Sequence, residues 1–523
     1  MARLFLRNGR IFCGRPGTGF AEACAIAGSR VLAVGSEANV ADVAAGFEEV
    51  DLSGGVAVPA FCDSHIHLLM YAVSLATVAL AGSKSQEEAA GRVAARAQLS
   101  RPGSWISGIG WSKEEFTDRR FPTRHALDKV SPDNPVVLYS RDYHSLWLNS
   151  AALSALGIDR STPAVQGGSI LKDEAGDPTG VLLENMAKVA FDRIPKPSAS
   201  SIAASMDSAF EKLYSLGILS AHNMDSDGDL SLLSGMKAAG RLGIRVVGYI
   251  GKDSLDGAIS AGMRTGFGDS QLRFGGLKLI KDGTLGSQTA LMLEPFEGSL
   301  NRGIDLIPDG ELNELVRRAN GVGIGVAVHA IGDAANRSVL DAFSRSGSAE
   351  AKLINRVEHA QLLTEEDLPR LAALGLATSM QPVHMEGDIE PANLLWGERT
   401  RYAYAAKSLL RSGSPILFGS DAPVADPDPM KGICTAVTRK DPEGKPERGW
   451  HPEERLTVEE AVRAYTWNPA SLFGDGGTRG SIETGKLADV AILSEDIFTI
   501  PKERIRKVKV SATISEGEFV FRA

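Results

Sequence analysis

Apolar positions along the chain follow two different patterns. In the first sixty residues and the last fifty they alternate with polar ones over short runs broken by turn residues. Examples are LFLRNGRIFCG and ACAIAGSRVLAVG near one end, KLADVAILS and VKVSATISEGEFVFRA near the other. A period of two marks half-buried strands, so residues 1–60 and 475–523 are expected to pair into one small β-sandwich domain. Over residues 61–474 short apolar runs instead alternate with helical patterns, the signature of repeated β-α units. Eight runs read as strands: Val56 to His67, Ile218 to Met224, Arg245 to Ile250, Gly275 to Ile280, Gly325 to His329, Arg356 to His359, Ala377 to Met380 and Ile416 to Ser420. Eight units predict an α/β fold with a closed (β/α)8 TIM barrel. Among the helices, SIAASMDSAFEKLYSLG is expected to end with Gly217 as its C′ residue, and Thr364 to cap the helix of EEDLPRLAALG. About 150 residues separate the first two strands, far more than one barrel unit needs. An insertion over about 75–205 is therefore expected, with Ser85 and Glu88 forming a capping box, and with the insertion roofing the barrel's active face.

Composition narrows the class. Lys and Arg number 56 against 65 Asp and Glu, a net charge of −9, and no basic run is interleaved with aromatics, so nucleic acid is not an expected partner. Cys13, Cys24, Cys62 and Cys434 form no C-x-x-C pair, which argues against a disulfide framework or a zinc ribbon. MARLFLRNGR lacks the apolar stretch of a signal peptide and no run has the length of a membrane span. The expectation is a cytoplasmic protein away from membranes.

The nine histidines carry the chemistry. In FCDSHIHLLM, His65 and His67 are two residues apart at a strand end and leave it on the same face. His329 ends GIGVAVH, His359 ends NRVEH, and Asp421 follows ILFGS. A single strand-end histidine has an ordinary structural reading. Four of them with an aspartate, all at C-terminal strand ends where barrel enzymes gather their catalytic groups, point to metal. Imidazoles with a carboxylate suit zinc first, with iron, manganese and nickel also compatible. In GGLKLIKDG, Leu277, Leu279 and Lys281 share the face turned to the outer helices, which leaves Gly276, Lys278 and Ile280 facing inward. An ammonium cannot bind a metal. A desolvated neutral Lys278 can add carbon dioxide to give a carbamate that bridges two cations.

FCDSHIH, GGLKL, the later histidines and GSDAP resemble the amidohydrolase superfamily of metal-dependent hydrolases. GIGW, RDYHSLWLNSAAL, GDPTGVLLE, KDGTLGSQTA, VHAIGDAAN, RVEHAQ, MQPVH and GKLADVAIL extend the resemblance over nearly the whole chain, to the N-substituted formamide deformylase-like branch. The resemblance implies a β-sandwich built from both termini beside the barrel and two divalent cations. It puts His65, His67 and Asp421 on the more buried cation and His329 and His359 on the other, with Lys278 bridging. It also suggests a homodimer. Lys281 departs from it, standing where a small residue is expected.

The expected reaction is hydrolysis of a C–N bond, most simply an amide of a small molecule. Two metals about 3.5–4 Å apart bridge a hydroxide that attacks the carbonyl, with Asp421 as general base and then acid. Trp111, His144 and His384 are the expected substrate contacts, with Glu184 as a lesser candidate. Asp333 is expected to cap a helix, and His125, His222 and His451 to be structural or surface residues. Alternatives are a deaminase, an esterase or phosphotriesterase-like enzyme, and a non-catalytic scaffold. Superfamily deaminases typically carry a glutamate three residues after the fifth-strand histidine, where this chain has Gly332. Arg399, Arg401 and Arg439 are candidates to meet a substrate carboxylate.

Overall fold

A computed structural model describes residues 2–113, 115–140, 145–194, 199–225, 229–347 and 353–523. The chain forms two compact units, Met1–Tyr71 with Asp207–Ala523, and Ala72–Met206.

The larger unit holds eight parallel strands: β1 (Phe61–Ile66), β2 (Ile218–Asn223), β3 (Arg245–Ile250), β4 (Leu272–Ile280), β5 (Val326–Ala330), β6 (Arg356–His359), β7 (Ala377–Met380) and β8 (Ile416–Phe418). They lie side by side in chain order. Beyond the end of β8 the ring closes on β1: the N–H of Asp421 donates to the carbonyl of His65 at 2.7 Å, and that of His67 to Ala422 at 2.9 Å. Asp63 reinforces the seam, its carboxylate accepting from the Ser420 hydroxyl at 2.5 Å and from the backbone N–H groups of Ser420 and His65 at 3.1 Å each. Low on the barrel, β4 and β5 approach through glycines. Gly276 has φ 145°, and a Cβ there would lie 2.1 Å from the Gly325 carbonyl oxygen, so only glycine fits.

The run expected as one first strand is two. Val56–Pro59 belongs to the sandwich, where it pairs with Arg10–Phe12 and Val490–Leu493, and the chain then crosses to β1. The crossing residues change partners: Ala60 N–H donates to Asp489 and Phe61 N–H to Gly217. A four-stranded sheet (Arg30–Gly35, Ala23–Ala27, Arg3–Arg7, Glu48–Asp51) and a six-stranded one drawn from both termini complete the sandwich. Their shared core includes Leu4, Leu6, Ile26, Val490, Ile492 and Ile514.

The unit Ala72–Met206 is built on a six-stranded mixed sheet, in order Gly168–Lys172, Pro178–Glu184, Ser145–Leu148, Val136–Ser140, Ile106–Trp111 and Val78–Ala79. Its helix Gln86–Ala97 is capped by Ser85, whose hydroxyl accepts from Glu88 N–H. The capping box is not reciprocal, because the Glu88 carboxylate reaches Lys84 N–H instead. The helix expected after Thr364 starts later, at Leu368, with Asp367 in the cap position; the Thr364 hydroxyl donates to the Asp367 carboxylate. Gly217 lies just beyond the helix Ala199–Tyr214, with φ 77°.

Candidate metal centre

All the expected ligands lie in the larger unit, at or just past the C-terminal ends of their strands. His65 and His67 leave the end of β1 with ring centroids 5.8 Å apart; His65 lies 4.9 Å from His359, which lies 4.4 Å from His329. Asp421 faces the pair, with one carboxylate oxygen 3.4 Å from Nε2 of His65 and 3.3 Å from Nε2 of His67. Ligand atoms of His65, His67 and Asp421 lie within 4.8 Å of one another, and so do those of His359, His384 and Asp421. Asp421 thus belongs to two groups of three.

Local backbone geometry makes this convergence possible. On a regular strand Glu358 and His359 would point to opposite faces. Here the left-handed backbone at His359 (φ 70°) and Ala360 (φ 42°) breaks that alternation, and His65 has the His359 ring 4.9 Å from its own while its Nδ1 donates to Glu358. Asp421 has φ 61°. Left-handed non-glycine residues cost about 1–3 kcal/mol each and gather at functional sites.

The nitrogens turned away from Asp421 are held by carboxylates. Nδ1 of His65 donates to Glu358 at 2.6 Å, and Nδ1 of His67 to Asp225 at 3.1 Å. With their N–H groups used in this way, both imidazoles present a lone pair to an anionic oxygen. Acceptor facing acceptor at 3.3–3.4 Å needs a cation between them. Burial opposes the charge on His67, but Asp225 and Asp421 outweigh it and push this histidine up to about 9. Nε2 of His329 lies 3.1 Å from the Gly283 carbonyl and 3.5 Å from Asp282, which leaves Nδ1 as its ligand atom. Burial, helped by the neighbouring lysine, pushes His329 down to about 3, and burial keeps His359 well below its usual range. Both are the neutral imidazoles that a metal needs.

The two lysines of β4 part company. Lys281 turns outward, donating to Asp305 at 2.7 Å, Asp309 at 2.8 Å and the Ile307 carbonyl at 2.7 Å. A buried lysine is accommodated there by two acids, which accounts for the departure from a small residue. Lys278 is buried with its Nζ lacking any hydrogen-bond partner, and burial lowers it to about 8. His359 Nδ1 is likewise buried and unpartnered. Orphaned donor atoms of this kind beside two ligand clusters fit bound divalent cations.

Beneath the site Arg356 and Glu358 form a fully buried ion pair. Arg356 also donates to His222 Nδ1 at 2.8 Å and to the Ser64 carbonyl at 2.7 Å. Glu358 is thereby held well below the usual carboxylate range despite its burial. His222 is therefore part of the support beneath the ligands.

The expected substrate contacts have different settings. His384 stacks 6.3 Å from His359, and its Nε2 donates to the Ser420 carbonyl at 3.2 Å. Trp111 is a core side chain of the unit Ala72–Met206: it is buried, its indole N–H donates to the Leu138 carbonyl at 2.9 Å, and its ring packs on Phe116 and Trp147. His144 lies outside the described residues. Arg399 is spent on the carbonyls of Glu294, Pro295, Leu395 and Trp396, and Arg439 on those of Ala403, Tyr404 and Trp450. Neither is offered to a ligand. Asp333 is the first residue of its helix rather than the cap, Gly332 being the cap; its carboxylate accepts from Leu293 and Ala334 N–H.

Sequence reasoning missed Asp225, Asp282 and Glu358. Each sits at or just after a strand end, the same position that flagged the histidines, but in strands 2, 4 and 6.

Residues 48–521 match the amidohydrolase family. The chain is 31% identical over 512 residues to the protein LONG AFTER FAR-RED 3 of Arabidopsis thaliana, covering 94% of this chain and 87% of that protein. It is 31% identical over 524 residues to the N-substituted formamide deformylase of Arthrobacter pascens, covering 95% and 94%. Among solved structures, an uncharacterized metal-dependent hydrolase from Pyrococcus furiosus superposes with a TM-score of 0.75 at 32% identity, covering 93% of this chain and 98% of the other. With the ligand geometry and the family match together, the chain belongs to the amidohydrolase family and is a metal-dependent hydrolase acting on carbon–nitrogen bonds.

Proposed function

We propose that this enzyme cleaves an amide of a small molecule, an N-substituted formamide or another N-acyl compound. Two divalent cations, zinc first among the candidates, would be held by His65, His67, Lys278, His329, His359 and Asp421. The position of Asp421 carries the reading: its carboxylate faces the His65–His67 pair and also belongs to the group with His359 and His384. The formamide deformylase relative supports an amide as substrate.

When bound, such cations polarise a carbonyl and make a water acidic near neutral pH. Asp421 takes the proton from the attacking water and delivers it to the leaving nitrogen, acting first as base and then as acid. Lys278 contributes as a carbamate. Its free amine adds to the carbon of carbon dioxide and loses one proton, giving an anion with two ligand oxygens; the burial and isolation of Nζ support this role. His384, which flanks His359, would contact the substrate.

The test is a substrate panel run on protein reloaded with zinc. Release of free amine from formamides or N-acyl compounds supports the reading. Turnover confined to esters or phosphotriesters would overturn it.

A further inference from the structure

We propose that Asp225 and Asp282 are positioning residues, one for each cation. Asp225 sets His67 for the cation shared with His65 and Asp421, and Asp282 sets His329 for the cation shared with His359. The inference rests on the two-cation reading above and adds which side chains orient the ligands.

The two aspartates are built into the barrel in the same way. Asp225 stands two residues past the end of β2, and Asp282 two residues past the end of β4. Both are buried, at 5% and 0% exposure. Each accepts from the backbone N–H two residues further along the histidine's own segment, and Asp225 accepts from the imidazole as well. Asp225 puts one oxygen 3.1 Å from His67 Nδ1, and its other oxygen accepts from Leu69 N–H at 2.8 Å. Asp282 puts one oxygen 3.5 Å from His329 Nε2, and that oxygen accepts from Ile331 N–H at 3.0 Å. Its second oxygen takes Gly332 N–H at 2.8 Å and Leu291 N–H at 2.9 Å. The next residue, Gly283, sends its carbonyl to the same His329 nitrogen at 3.1 Å.

Asp225 therefore fixes both ring and main chain of its ligand segment, whereas Asp282 fixes the main chain around His329 and the adjoining Gly283 carbonyl holds the ring. The His67 N–H is committed to Asp225 and the His329 N–H to the Gly283 carbonyl next to Asp282, which leaves the other nitrogen's lone pair of each ring for a cation. Among the described residues Asp225 and Asp282 share no hydrogen-bond partner, so their effects should be independent. Glu358 holds His65 similarly, but its buried pairing with Arg356 makes its removal a folding question.

The experiment uses the full chain as wild type, Asp225→Asn, Asp282→Asn and the double variant. Each is stripped of metal and equilibrated with zinc in a chelator buffer whose free zinc just suffices to load two per wild-type chain. Loss of an orienting partner weakens a site by about 10–100-fold, so each single variant is expected to keep one zinc and the double variant none. Thermal midpoints of the metal-free proteins, expected to match wild type within a few degrees, separate this from a general loss of structure.

Two zincs in both single variants, or one zinc in the double, overturns the assignment of one aspartate to each cation. Wild type that takes up no zinc overturns the two-cation reading along with it. Should Asp282→Asn fail to fold, nitrogen-15 spectra of histidine-labelled wild type loaded with cadmium-113 decide the matter. Metal coupling at Nε2 of His67 and Nδ1 of His329 supports the proposal, and coupling at the opposite nitrogens refutes it.

Discussion

The proposed mechanism gives Asp421 both proton transfers, so Asp421→Asn is the sharpest single substitution. Removing a group that both accepts and returns a proton should lower kcat by about 100- to 10,000-fold. Steady-state rates on the best amide from the panel measure this, and undiminished turnover would remove Asp421 from its role. At Lys278 the expected outcome is different: Lys278→Ala should release bound zinc, measured as metal per chain, and a small added carboxylic acid should restore part of the activity by filling the vacated space. Lys281→Ala should leave metal content unchanged, because that amine serves Asp305 and Asp309. The histidines could be singled out in the sequence because each ends an apolar run, the position where barrel enzymes gather their catalytic groups. Asp225 and Asp282 could not, since an aspartate just after a strand reads equally well as a helix cap, and only the fold reveals which imidazole stands opposite. Trp111 shows the converse: an aromatic residue in a distinctive motif drew attention, yet its ring is buried among Phe116 and Trp147.

Strand β6 is the element that period-two reasoning describes least well. Alternation puts Arg356 and Glu358 on the inner face and His359 on the outer one, whereas the left-handed step at His359 and Ala360 brings ion pair and ligand together. Breaking that pair at one end leaves a buried charge alone. Arg356→Met should cost about 3–5 kcal/mol of stability, read from the denaturation midpoint of the metal-free protein. The strand between residues 56 and 67 shows a related limit. Its apolar run is continuous in sequence, and the division at Ala60 arises because Asp489 and Gly217, more than 150 positions away, supply the partners. In the unit Ala72–Met206, Trp111→Ala should cost about 3–5 kcal/mol with little change in metal content, which distinguishes a core side chain from a ligand contact.

At the scale of the whole chain, the eight-strand order and the sandwich drawn from both ends were legible because periodicity survives without knowledge of partners. The settings of individual loops were not, since those depend on long-range hydrogen bonds. Among the described residues no helix is long and apolar enough to cross a membrane. Removing the cations should affect the entire larger unit, because the ligands come from five strand ends or the loops directly after them. A ligand bound only by the folded state at 1,000 times its Kd adds about 4 kcal/mol. Chelation should therefore abolish turnover and lower Tm together, with zinc restoring both; loss of one without the other would separate metal binding from the fold.

Gly332 bears on how readily such a barrel could change trades. It lies three residues past His329, at the position where the resemblance leads one to expect a glutamate in a deaminase, and its N–H is held by Asp282. A side chain there would begin 2.0 Å from the Leu291 carbonyl oxygen. The backbone itself has closed that position, so Gly332→Glu would displace the loop rather than install a deaminase's acid.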